Sequence, residues 1–247
     1  MSRTQKRPRL YLPTEVPAHG VCELPAEQSH HAAHVLRLAA GDAVTAFDGR
    51  GNEYAATIER ISKSGVRLTL GEPQAVDRES PLQVTLAQGI SSGERMDYTI
   101  QKAVELGVAA IQPVATERSV VRLDAERAAK RLAHWQGVVV AACEQCGRNL
   151  VPQVLPVAPL ANWLGALPAS ALKLTLTPGA ARRLSELDRP AAPMVLLVGP
   201  EGGLSAREHG DAVATGFTPI RLGPRVLRTE TAAVAALAAM QTLWGDF

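Results

Sequence analysis

Three glycines in five positions, Gly199-Pro200-Glu201-Gly202-Gly203, separate an apolar run at 195–198 from a helix that Ser205 can open. Glycine lets a backbone approach a ligand closely, and serine caps helices well. The loop has neither the Lys-Ser/Thr of a Walker phosphate loop nor the G-x-G-x-x-G of a dinucleotide fingerprint, so it points to another kind of ligand or to a plain tight turn. A second loop, Leu222-Gly223-Pro224-Arg225-Val226-Leu227-Arg228-Thr229-Glu230-Thr231-Ala232, carries two arginines into a helix whose first turn offers unpaired N–H groups. Thr229 is placed as its cap. Arg118 and Arg122, after an apolar run at 111–114, and Arg148, at the end of a long helix, are cations that could face one ligand or pair singly with nearby carboxylates.

Two other constellations suggest chemistry and lack its complement. Cys143 and Cys146 form a C-x-x-C at a helix end, but structural zinc needs four ligands and Cys22 is the only other cysteine. His30 and His34 stand at i and i+4 with no H-E-x-x-H carboxylate between them. No metal is expected, and these histidines read as surface or polyanion-facing. The amino-terminal arm, with Arg3, Lys6, Arg7 and Arg9 and no acid, suits phosphate contact, as does Arg37 beside the histidines.

The elements that must position these loops fall into two patterns. Short strands at 44–47, 54–58 and 65–70, with turn signals between them and one helix at 26–38 ended by Gly41, predict a small β-barrel. A turn-rich linker follows at 74–81. Beyond it apolar runs at 82–87, 111–114, 172–176, 195–198 and 220–222 alternate with helices at 94–106, 124–146, 181–187, 206–215 and 231–244, which predicts a parallel sheet covered by helices. Ligands of such sheets sit at the carboxyl ends of the strands, so the loops after Val114, Val198 and Leu222 are where chemistry is expected.

Length agrees: 247 residues against roughly 150 per domain suggests two units, here 1–73 and 82–247. Hydrophobic residues at 46% and charged residues at 20% exclude a disordered chain, and 4% aromatics argue against a surface built on base stacking. A net charge of +2 leaves polyanion binding to local clustering. The longest apolar stretch, 232–243, is interrupted by Gln241 and is too short to span a bilayer, and the amino terminus lacks the apolar stretch of a signal peptide. No membrane span and a cytoplasmic location with reduced thiols are expected.

Three segments in order, Ala141-Ala142-Cys143-Glu144-Gln145-Cys146-Gly147-Arg148, the 199–204 loop and the 222–232 loop, closely resemble the signature of the RsmE family of the SPOUT superfamily. His31-Ala32-Ala33-His34-Val35-Leu36-Arg37 with Phe47-Asp48-Gly49 resembles its amino-terminal PUA-like barrel, and Ile100 through Val108 resembles the first helix of its catalytic domain. The resemblance implies an α/β methyltransferase domain with a carboxyl-terminal trefoil knot, an obligate homodimer, and S-adenosyl-L-methionine-dependent methylation of uridine N3 in 16S rRNA of the small ribosomal subunit. It implies a cofactor cradle of Val198, Gly199, Gly202 and Gly203 from one loop, Leu222, Gly223, Val226, Leu227, Thr229, Thr231 and Ala232 from the other, and Leu176 from the strand between. Removing the N3 proton leaves negative charge on O2 and O4, so Arg118, Arg148 and Arg228 are expected as charge stabilisers and Glu144, Glu201 and Glu230 as the carboxylates near the cleft. Arg7, Arg9, Arg37, Arg122 and Arg225 are expected to meet RNA. A 2′-O-ribose methyltransferase of the same superfamily and a non-catalytic RNA-binding protein remain the alternatives.

Overall fold

The computed structural model describes residues 7–13, 20–119, 125–168 and 170–247. They group into two units: the described residues up to Glu79 with Cys143–Val151, and Ser80–Ala142 with Pro152–Phe247. Cys143–Val151, which lies within the strand-helix alternation of 82–247, groups with the first unit.

In the first unit, β1 (Arg9–Tyr11), β2 (Gly20–Glu23), β3 (Ala43–Phe47), β4 (Asn52–Ser62) and β5 (Gly65–Ala75) form one sheet in the order β1-β3-β4-β5-β2. All neighbours are antiparallel except β1 and β3. Along β4, Tyr54, Ala56 and Ile58 are buried and Ala55, Thr57 and Glu59 exposed, the period-2 alternation of a strand with one face on a core. That core gathers Leu10, Val44, Ile58 and Leu68. β5 runs on to Ala75, two residues into the stretch 74–81 expected as the linker.

The single helix expected over 26–38 is two pieces. α1 (Ala26–His30) passes into a π-helical turn at His31–Val35, where Leu36 N donates to His31 O at 3.0 Å. The widened turn ends at Arg37, whose φ of 54° lies in the left-handed region, rather than at Gly41.

The second unit has β6 (Val84–Gly89), α2 (Gly93–Glu105), β7 (Ala110–Ala115), α3 (Ala125–Cys146, of which Cys143–Cys146 group with the first unit), β8 (Gln153–Val154), β9 (Ala158–Pro159), α4 (Leu160–Gly165), β10 (Leu172–Leu176), β11 (Arg182–Arg183), β12 (Met194–Val198), α5 (Ala206–Ala214), β13 (Thr218–Arg221) and α6 (Thr229–Trp244). Its sheet is wholly parallel in the order β11-β13-β10-β12-β6-β7-β8, with β9 also on β7. Every residue of β12 is buried, because helices cover both faces of a parallel sheet, and its sequence is accordingly an unbroken apolar run. The stretch 181–187, expected as a helix, forms β11 and a single 3₁₀ turn, Leu184–Glu186.

Two helix starts bear on the site. Ser205 caps α5 as expected, with Ser205 Oγ accepting from Glu208 N and Glu208 Oε2 accepting from Ser205 N at 2.9 Å, a reciprocal cap worth about 1 kcal/mol. Thr229 does not cap α6. Arg228 holds that position, Thr229 is the first helical residue, and its hydroxyl is used elsewhere.

Candidate active site

The sheet order decides which loops meet. β13, β10 and β12 are consecutive neighbours, and the segments leaving their carboxyl ends surround one cavity of about 510 Å³, within the range of small-molecule sites. Leu176 and Thr177 enter from β10, Val198 through Leu204 from β12, and Ile220 through Gly223 and Arg225 through Glu230 from β13 and the segment after it, with Ala232 beyond. The loop after Val114 does not line it, because β6 stands between β7 and β12.

A buried polar hub holds the two long loops together. Gln88, fully buried at the end of β6, donates through Nε2 to Thr229 Oγ1 at 2.9 Å and Gly89 O at 3.0 Å, and Thr229 Oγ1 donates to Gly199 O at 2.6 Å. A Cβ added at Gly89 would lie 2.5 Å from Pro200 N, so only glycine lets β6 pass so close to the loop. Neither Gln88 nor Gly89 was singled out in the sequence; an amide in an apolar strand carries no signal until its partners are known.

Arg118 acts on the same loop from outside. It does not line the cavity; its Nη1 donates to Gly202 O at 3.0 Å, and a Cβ at Gly202 would meet Arg118 Cβ at 3.0 Å. Glu208, which caps α5, also accepts from Glu117 N at 2.8 Å, and Glu117 pairs with Arg207. Arg118 and Glu208 therefore brace the 199–205 loop.

Inside the cavity four arginines, Arg95, Arg221, Arg225 and Arg228, stand with Glu201, Glu230 and His209. Arg221 donates to the carbonyls of Ala180 and Ala181, and Arg225 and Arg228 are exposed on the loop. Arg95, on α2 and not anticipated, is held: its Nη1 donates to Glu201 Oε1 at 3.0 Å and Ser92 Oγ at 3.3 Å, and its Nε lies 4.0 Å from Glu230 Oε1. Burial pushes the Glu201 carboxyl up, but hydrogen bonds from the Ser92 amide, Arg95 and the Ser92 hydroxyl outweigh it and hold the group at about 2. Glu201 is thus an anionic anchor. Glu230 Oε2 is shut away from solvent with no donor. His209 shares a hydrogen bond with Thr177 Oγ1 at 3.0 Å.

Of the residues expected at the cofactor, Leu176, Val198, Gly199, Gly202, Gly203, Leu222, Gly223, Val226, Leu227, Thr229 and Ala232 line this cavity, and Thr231 does not. Of the expected chemical groups, Glu201, Arg228 and Glu230 line it.

Glu144 and Arg148 fall in the first unit. Arg148, 6% exposed, is paired with Glu79. Burial pushes the Glu144 carboxyl up although it accepts from Tyr11 N at 3.1 Å, and His31 lies 3.7 Å away.

Arg9, expected on phosphate, is turned inward at 8% exposure. It donates to Glu53 at 2.9 Å and Asn149 Oδ1 at 2.6 Å and stacks over Phe47, so it ties the Cys143–Val151 segment to the sheet. Arg7, Arg37 and Arg225 are exposed, and Arg122 lies outside the described residues. The three cysteines form no disulfide; burial pushes the Cys143 thiol up to about 12, far from a reactive thiolate. Among the described residues there is no cluster of three or more His, Cys, Asp or Glu suited to a metal, and no helix long and apolar enough to cross a membrane.

Residues 78–241 match the RNA methyltransferase domain family and residues 24–71 the RNA methyltransferase PUA domain family. The chain is similar to the ribosomal RNA small subunit methyltransferase E of Neisseria gonorrhoeae, solved bound to S-adenosyl methionine, with 46% identity and a TM-score of 0.90 over 98% of this chain and 99% of that one. It is also similar to a Legionella pneumophila methyltransferase solved with the same cofactor, at 41% identity and a TM-score of 0.94 over 98% and 100%. These matches and the parallel sheet define a PUA-bearing RNA methyltransferase. Curated relatives agree on which one: the ribosomal RNA small subunit methyltransferase E of Buchnera aphidicola is 34% identical over 97% of both chains, and that of Bacillus subtilis 33% over 87% of both. The chain belongs to the ribosomal RNA small subunit methyltransferase E family.

Proposed function

We propose that this protein methylates N3 of a uridine in 16S rRNA of the small ribosomal subunit with S-adenosyl-L-methionine, acting in the cytoplasm as a homodimer. The observation that carries the reading is the cavity at the carboxyl ends of β13, β10 and β12, built from the loops of a chain that aligns over nearly its whole length with relatives solved with that cofactor.

The residues present suit such a ligand. The cavity is lined by apolar Leu176, Val198, Ile220 and Leu227, and it carries half-buried loop backbone at Gly203 and Gly223. Leu176, the 199–203 loop and the 222–229 loop would hold the cofactor, which when bound supplies an electrophilic methyl group on sulfur. A carboxyl-terminal trefoil knot accords with the way α6 begins against the 199–203 loop, Thr229 to Gly199. Division near residues 74–81 into an RNA-docking first domain and a catalytic second accords with the two family matches.

The chain's own residues have distinct tasks. Gln88 and Thr229 lock the loops, Arg118 fixes the 199–203 loop from behind, and Glu201 fixes Arg95. Arg228 and Arg225 stand on the exposed lip where RNA phosphate would arrive. The test is incubation of small subunits lacking the modification with labelled S-adenosylmethionine, followed by nucleoside mass spectrometry. 3-Methyluridine is expected; a 2′-O-methyl nucleoside would replace this reading with ribose methylation, and no cofactor binding would leave a binding protein.

A further inference from the structure

Uracil presents at its imide edge one donor, N3–H, between two acceptors, O2 and O4. A site that selects and activates this edge needs an acceptor for the proton and, beside it, a donor for the charge that develops on an oxygen. The cavity contains one such pair held in place. Glu230 lines the cavity and carries a carboxylate oxygen with no donor, which a turn of the side chain would bring to the cavity's contents, and Arg95 stands 4.0 Å from its other oxygen. Arg95 uses Nη1 on Glu201 and Ser92, and Nη2 has no protein partner among the described residues.

The other charged groups of the cavity are less suited. Glu201 already accepts from Ser92 N, Ser92 Oγ and Arg95, and Arg221 is spent on the carbonyls of Ala180 and Ala181. Arg225 and Arg228 are exposed, and His209 is engaged with Thr177. A cation held before the substrate arrives needs no reorganisation during the reaction, which is what makes such a group effective.

We propose, resting on the uridine-N3 reading above, that Glu230 and Arg95 together read the imide edge of the target uracil, Glu230 accepting the N3 proton while Arg95 Nη2 donates to the neighbouring carbonyl oxygen. N3 then forms the bond to the methyl carbon as the carbon–sulfur pair leaves with sulfur, and Glu230 later returns its proton to solvent. Cytosine, whose N3 has no hydrogen, does not complement the pair. Glu201 is a positioning residue for Arg95. Charges around Glu230 come from Arg95 on α2, Glu201 through that same arginine, and Arg228 at the start of its own helix.

The experiment is single-turnover methylation of unmodified small subunits across a pH series, with S-adenosylmethionine affinity measured by calorimetry for each variant. Wild-type enzyme that makes no 3-methyluridine would remove the functional reading itself. Given that product, Glu230→Gln is expected to lose about a hundredfold or more at neutral pH and recover as pH rises toward ionisation of the uracil, with cofactor affinity retained. Arg95→Met should lower the rate at every pH, and Glu201→Gln should do so more mildly. A Glu230→Gln profile parallel to wild type, or an Arg95→Met rate equal to wild type, would overturn the proposal. Small subunits reconstituted with 5-fluorouridine, whose N3–H is more acidic, give a measure independent of variant folding. With a carboxylate base in wild-type enzyme the rising limb of the pH profile stays in place; a limb that moves down with the uracil's own acidity would exclude Glu230 as the proton acceptor.

Discussion

Thr229→Val removes one hydroxyl and almost nothing of the side chain's shape. The lost atom donates to Gly199 O at 2.6 Å and accepts from Gln88 Nε2 at 2.9 Å, and Thr229 is 7% and Gln88 0% exposed. A buried group left without its partner costs about 1–3 kcal/mol. Gln88 keeps Gly89 O at 3.0 Å, but Gly199 O is left with only Gln88 at 3.5 Å. Each of these two groups therefore sits at the lower end of the range, about 1 kcal/mol, or about 2 kcal/mol for the pair, and at about 2–4 °C per kcal/mol the melting temperature should fall by about 4–8 °C. Because the broken bonds join the two loops of the cavity, much of that cost should appear as looseness there, with S-adenosylmethionine binding weakened about tenfold, the equivalent of about 1.4 kcal/mol. Differential scanning calorimetry and titration calorimetry measure the two effects, and Thr229→Ser, which keeps the hydroxyl, should recover most of both. A melting shift below about 1 °C with unchanged affinity would contradict the assignment of Gln88 and Thr229 as the lock on the cavity.

Gly202→Val pushes into Arg118 Cβ at 3.0 Å and should lower both thermal stability and cofactor affinity, whereas Gly223, whose added Cβ meets nothing within 4 Å, should as Val keep its melting temperature and lose affinity only; equal behaviour in calorimetry would count against this division. Arg7→Ala and Arg37→Ala should each flatten the slope of log RNA affinity against log salt by about 0.7–0.9. Arg9→Ala should instead lower the melting temperature, since its guanidinium is buried between Glu53 and Asn149. Burial raises the Glu53 carboxyl, but Arg78, Arg9 and Asn149 outweigh it and hold it at about 2, below the ordinary 4.5, so its contribution to stability is complete above about 4.5 and disappears as pH falls toward 2. Melting followed over that window should show the acid loss in wild type and a flatter curve in Glu53→Gln.

Short-range chemistry is legible in this chain because it is local. The glycine spacing at 199–203, Ser205 with Glu208 three residues on, the period-2 burial of β4 and the apolar run of β12 each follow from neighbours a few positions apart, and the three signature segments together carry the family. What cannot be read there is long-range pairing. The order β13-β10-β12 puts two loops on one cavity and leaves the loop after Val114 outside it, a consequence of which strands are neighbours rather than of any residue in that loop. Arg9 and Arg95 are both arginines with no local feature to tell them apart. One becomes a buried tie to Asn149, 140 positions away, and the other a cation held in the site by Glu201, 106 positions away. Burial and partner geometry decide what a charge does, and both exist only once distant segments have packed.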